Sequence, residues 1–136
     1  MSRKKYKIAI LILMIAQFVI IIACKGNESM KIELTPVEKQ ATMDAIKRFQ
    51  TKDKNLINTY DIEFIITNAK ENNIPKFEEF LKQIKLKYKS MNFKNSDLIT
   101  TIQMKMIYEK IIEIESFLTF FAVENGLKYD GWGAFE

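Results

Sequence analysis

The stretch DLITTIQMKMIYEKIIEIESFLTFFAV, Asp97 to Val123, decides what kind of fold this chain can have. Leu98, Ile102, Met106, Ile107, Ile111, Ile114, Phe117, Leu118 and Phe121 recur at the three- and four-residue steps that bring side chains onto one face of a helix. Ser96 is placed to cap it, Asp97 to favour its first turn, and Asn125-Gly126 to stop it. Ile99, Met104, Ile112, Phe120 and Ala122 widen the apolar surface beyond one stripe. Read this way, the stretch is one long helix that is either central to a bundle or faces a partner.

Working outward, three shorter segments read as helices too. Thr35-Pro36-Val37-Glu38 combines a capping hydroxyl, a proline at the first helical position and a glutamate able to bond back to the cap. Val37, Ala41, Ala45, Ile46 and Phe49 then follow on one face, so a helix is expected from Pro36 to about Lys52. Leu56, Ile57, Tyr60, Phe64 and Ile65 give a second pattern, although Ile62-Glu63-Phe64-Ile65-Ile66-Thr67 also has strand propensity. After Pro75, the residues Phe77, Phe80, Leu81, Ile84, Tyr88 and Met91 form a third stripe, and Asn92 to Ser96 reads as a turn. The expected fold is all-α, a small antiparallel bundle of about four helices over residues 35–126, followed by an aromatic tail at 127–136. The competing architecture is an α+β domain in which residues 61–67 form a strand.

The first 24 residues differ in character from the rest. Arg3, Lys4, Lys5 and Lys7 precede an apolar run from Ile8 to Ala23 that is interrupted only by Gln17, and no acid occurs before Glu28. Basic charge before a greasy segment is the physical pattern of a translocation signal. The run falls short of the roughly 20 residues that span a bilayer comfortably. Ile21-Ile22-Ala23-Cys24 resembles the lipobox of bacterial lipoproteins, with a branched residue and a small residue before the cysteine. The resemblance implies a signal peptide over 1–23, a diacylglyceryl group on Cys24, and a short tether over 24–34. An uncleaved signal anchor with Cys24 as a plain thiol is the bland reading. Cys24 is the only cysteine, so no internal disulfide can form.

From Lys25 onward the chain holds 17 basic and 17 acidic side chains, so the surplus of positive charge resides in the first segment. That balance gives no argument for binding nucleic acid. The chain has no histidine, which removes the commonest general base and the usual partner of a nucleophilic serine or cysteine. Glu78-Glu79 and Glu109/Glu113 look like solvated helix faces, the latter pair open to Lys105 and Lys110. No catalytic set and no metal site is expected, and no cofactor other than the lipid on Cys24.

Two features invite binding. Lys82, Lys85 and Lys89 are three and four residues apart, which on a helix would place them on one face against anionic headgroups or an acidic partner, if they are more than a dipole-complementing surface. Tyr129, Trp132 and Phe135 lie within seven residues, between and around Gly131 and Gly133. They either fold back to close the bundle or present an aromatic hot spot to a protein. Size and composition are similar to those of small surface lipoproteins of spirochaetes. The expected function is therefore a non-enzymatic, lipid-anchored outer-membrane protein that binds a protein partner, such as a protein of a host. The alternatives are a periplasm-facing accessory or exclusion factor, and a carrier of an apolar ligand beside Phe117, Phe120 and Phe121.

Overall fold

A computed structural model describes residues 28–135, and Cys24 with its lipobox-like neighbours Ile21, Ile22 and Ala23 lies outside them. After a 3-10 turn at Glu28–Met30, the elements are α1 (Pro36–Phe49), β1 (Thr59–Thr67), α2 (Asn73–Gln83), β2 (Ser90–Lys94), β3 (Asp97–Lys105), α3 (Tyr108–Glu124) and β4 (Lys128–Phe135). The strands form one antiparallel sheet in the order β2-β3-β1-β4. From β1 onward the sequence of elements is βαββαβ, the split βαβ or ferredoxin-like arrangement, here with α1 added in front. The expected all-α bundle is thus wrong, and the competing α+β reading of residues 61–67 is the correct one.

The physical reason is an ambiguity of spacing. Tyr60, Ile62, Phe64 and Ile66 are buried in strict alternation along β1, yet Tyr60 and Phe64 are also four residues apart, as on a helix. Leu98, Ile102 and Met106 carry the same double meaning. In the folded chain they belong to β3 and its end, and the long helix expected over 97–123 breaks at the extended residue Ile107, after which α3 begins. Asn95 and Ser96, expected as turn and cap, both have positive φ and form the tight connection of the β2–β3 hairpin. The third stripe is also shorter than expected. Helix α2 ends at Gln83, Met91 belongs to β2, and only Phe77, Phe80, Leu81 and Ile84 of that stripe are buried.

Local signals near helix ends read more reliably. Thr35 and Glu38 form the capping box, with Glu38 N donating to Thr35 Oγ1 at 3.2 Å and Thr35 N donating to Glu38 Oε2 at 2.7 Å. Asn125-Gly126 stops α3: Gly126 has φ +68, Leu127 N donates to Ala122 O at 2.7 Å and Gly126 N to Val123 O at 3.3 Å.

The helices cover one face of the sheet, and the core lies between the two layers. Ile62, Phe64 and Ile66 of β1 meet Phe77 and Leu81 of α2 and Ile111 and Leu118 of α3, all fully buried. The Phe121 ring lies 4.9 Å from Phe77 and 5.1 Å from Phe80. Ahead of α1, the chain lies on α3: Ile32 N donates to Ser116 O at 3.3 Å, and Leu34 is buried. The loop from α1 to β1 is held by Asp53, only 6% exposed, whose carboxylate accepts from Ile57 N at 3.2 Å, Asn58 N at 2.9 Å and Tyr60 Oη at 3.3 Å.

Two outcomes follow. Asp53→Ala leaves those donors without their acceptor and is expected to cost roughly 2–3 kcal/mol in urea denaturation, since hydrogen bonds to a charged group are among the stronger ones. An effect under about 0.5 kcal/mol, the size ordinary surface substitutions show, would refute the loop's dependence on it. Removal of residues 127–136 deletes β4 and leaves one side of β1 unpaired, so the truncated chain should lose its cooperative unfolding transition.

Candidate functional site

The tail expected to be either docked or exposed is a strand, and its aromatics divide between the two faces of the sheet. Trp132 pairs opposite Phe64 and Tyr129 opposite Ile66, both on the helix side. Strict alternation would send residues three apart to opposite faces. A register shift between Ile65 and Ile66 inserts Asp130 as an extra residue and brings both rings to the same side. Gly131, at φ +115 within that irregularity, adopts a backbone conformation that side-chain-bearing residues avoid. Phe135 lies on the other face and is 56% exposed.

Tyr129 and Trp132 close a cavity of about 300 Å³ between α1, α3 and β4, lined also by Glu38, Ala41, Thr42, Ala45, Glu115, Asp130 and Gly131. Glu115 forms its floor and is only 7% exposed. Thr42 Oγ1 donates a short hydrogen bond to the Glu115 carboxylate, and Trp132 Nε1 donates to Thr42 Oγ1 at 3.4 Å. The buried Tyr129 hydroxyl is within electrostatic reach of Glu115 but makes no well-aligned hydrogen bond. Among the described residues no lysine or arginine forms a salt bridge with Glu115. Burial raises the Glu115 carboxyl above the usual carboxylate range, and the Thr42 hydrogen bond pulls it partly back. The Tyr129 phenol is held well above its ordinary value, first by burial and then by the neighbouring Glu115 charge.

Neither Thr42 nor Glu115 stood out in the sequence. The available signal was position: Glu115 is four residues after Ile111 and three before Leu118, inside the apolar stripe of α3. A lone acid there marks either a satisfied buried polar group or a site.

The other candidates are placed apart from this cavity. Lys82 is in the last turn of α2, Lys85 follows the helix at φ +55, and Lys89 precedes β2 and donates to Asp61 Oδ2 at 2.8 Å. They do not share a helix face, because a Schellman turn ends α2 first, with Leu86 N donating to Leu81 O and Lys85 N to Lys82 O, both at 3.0 Å. Glu113 pairs with Lys31 at 3.5 Å. Phe80 stacks with Phe120 at 6.3 Å beside an open groove of about 530 Å³ whose rim includes Lys76, Glu79 and Glu124. Among the described residues that groove is open rather than enclosed, so it is not the closed chamber an apolar-ligand carrier requires. Among the described residues no group of three histidine, cysteine, aspartate or glutamate side chains is arranged to hold a metal ion.

Fold and site together define a small α+β domain of ferredoxin-like arrangement with an acidic, aromatic-walled cavity beside its edge strand. The chain belongs to the family described as regulator of ribonuclease activity B, RraB, whose model matches residues 39–134. No curated protein sequence matches the chain. Membership corrects the expected function: a family defined by an effect on ribonuclease activity is neither a surface lipoprotein binding a host protein nor a periplasm-facing envelope accessory. The expected outer-membrane, lipid-anchored address is overturned by the same membership, since a family of ribonuclease regulators does not support it. Among the described residues no helix is long and apolar enough to cross a membrane.

The raised Glu115 carboxyl has a consequence for stability. Between its ordinary value of 4.5 and its raised one, the folded chain holds a proton that the unfolded chain has released. Stability from this group is therefore fully present below pH 4.5 and declines as pH rises through that window. Glu115→Gln, which still accepts from Thr42, should match or exceed the parent's thermal midpoint at neutral pH, with the difference vanishing in acid. A less stable variant with the parent's pH profile would show that the buried charge is not what limits stability.

Proposed function

We propose that this chain is a non-enzymatic regulator of a ribonuclease and that it acts by binding a protein. The observation that carries this reading is the extent of the family match, which runs from within α1 into β4 and so includes all of the sheet but Phe135 and every wall of the cavity except Glu38. A regulator needs a recognition surface more than reactive groups, and the sequence has the composition for that role. It lacks histidine altogether, and its only cysteine precedes the domain. The balance of 17 basic and 17 acidic side chains beyond the first segment supplies no net positive field to draw in RNA phosphates. Action on the enzyme is accordingly favoured over competition for its substrate.

The exposed face of the sheet and the cavity beside β4 offer two recognition surfaces of different chemistry. The sheet face is mixed, with Ile65 and Ile99 among Asp61, Glu63, Thr101 and Gln103. The cavity is the more selective of the two, because its inner polar groups, Thr42 and Glu115, are fixed and out of water.

The test is a ribonuclease assay with RNA-degrading activity fractionated from the source cells. Adding the purified protein should change the cleavage rate saturably as its concentration rises, while the protein alone leaves RNA intact. The same saturation point at two RNA concentrations would place its action on the enzyme. A rate indifferent to the protein in every active fraction, or RNA cleavage by the protein itself, would defeat the proposal.

A further inference from the structure

We infer that the cavity between α1, α3 and β4 receives one cationic side chain, an arginine, presented by the protein partner. This deepens the reading of the chain as a protein-binding regulator and rests on it for the source of the arginine.

Three carboxylates, Glu38, Glu115 and Asp130, line the cavity, and no basic residue does. One oxygen of Glu38 is engaged by the helix cap, and Asp130 is at the exposed rim. Glu115 lies at the floor with no cation beside it among the described residues. A second, independent feature is the Tyr129 hydroxyl, which lines the same space, is out of contact with water and has no hydrogen-bond partner. Buried polar groups are ordinarily satisfied, so a Tyr129 hydroxyl without an aligned partner, beside a Glu115 carboxylate that accepts from Thr42 but has no cation, leaves a place for a ligand that hydrogen-bonds with the phenol and brings positive charge to the carboxylate.

The shape selects the ligand further. Ala41, Ala45 and Gly131 keep the walls thin, and Trp132 and Tyr129 supply ring surface. A flat guanidinium can lie on an aromatic ring while directing several N–H groups at a carboxylate and a hydroxyl, whereas an ammonium is a point charge without that fork. About 300 Å³ is at the lower end of the roughly 300–1,000 Å³ of small-ligand pockets, which suits one side chain better than a folded segment.

Trp132 is the chain's only tryptophan and a wall of the cavity, so its fluorescence reports occupancy directly. The full-length protein is titrated with acetyl-arginine-amide, acetyl-lysine-amide, acetyl-glutamine-amide and the free diamine putrescine. Arginine amide should give a saturable change and bind more tightly than the lysine form and putrescine, with the glutamine form giving none. Glu115→Gln should weaken arginine binding by at least about tenfold, the loss expected when one charged hydrogen-bond partner goes. Asp130→Asn, at an exposed position where folding is not at risk, should weaken it by a smaller factor.

No saturable response to arginine amide, or unchanged affinity in both variants, overturns the inference. Tighter binding of putrescine overturns the assignment to a partner's side chain in favour of a free small cation. The titration contains no ribonuclease, so failure of the regulatory reading would show in the RNA assay and leave this result standing.

Discussion

Strand β1 hydrogen-bonds on both sides, to β3 and to β4, and every other part of the domain takes its position from that double pairing. Its alternation fixes the register. Ile62, Phe64 and Ile66 face the helices, and Asp61 and Glu63 face away. A slip of one residue would turn the two acids into the core and Phe64 toward water, so the sheet has one acceptable alignment. Phe77, Leu81, Ile111 and Leu118 then settle on the apolar side, and α2 and α3 follow because those residues have nowhere else to be buried.

The same register places the cavity. Fixing Phe64 opposite Trp132 and Ile66 opposite Tyr129 leaves one more residue on β4 than on β1, and the strand absorbs it around Asp130 and Gly131. That irregularity turns Tyr129 toward α3 instead of solvent. Without it, Glu115 would face a single aromatic and an open edge. The site is therefore a product of strand pairing, and Gly131 contributes through backbone freedom rather than chemistry.

How much of this could be read from the chain depended on the range of each signal. The capping box at Thr35 and Glu38 and the stop at Gly126 were legible because each is complete within a few residues. The sheet was only half legible. Leu98, Ile102 and Met106 satisfy helix and strand periods alike, and what separates them is pairing with β1, about forty residues away, a non-local contact that side-chain spacing does not encode. The lysines at 82, 85 and 89 were misplaced for the same reason, since their common face presumed a helix that ends at Gln83. Tyr129 and Trp132 were recognisable as unusual, but their shared orientation rests on a bulge. Glu115 had the faintest signal, one acid inside an apolar stripe, and its meaning depends on Thr42, 73 residues earlier.

Because Thr42, Glu115 and Trp132 come from three elements remote in sequence, the cavity exists only when the domain is folded. Its central charge also works against that folded state, since a carboxylate out of water without a cation is disfavoured. The opposition is informative. Most of the desolvation that a charge pair requires has already occurred at Glu115 in the unbound protein, so an arriving cation meets a carboxylate whose field is weakly screened. A neutral side chain entering the same space would leave the Glu115 charge held by the Thr42 hydrogen bond but without a counter-charge. Selectivity for positive charge is thus built into the fold itself, in the burial of one glutamate against an aromatic edge strand.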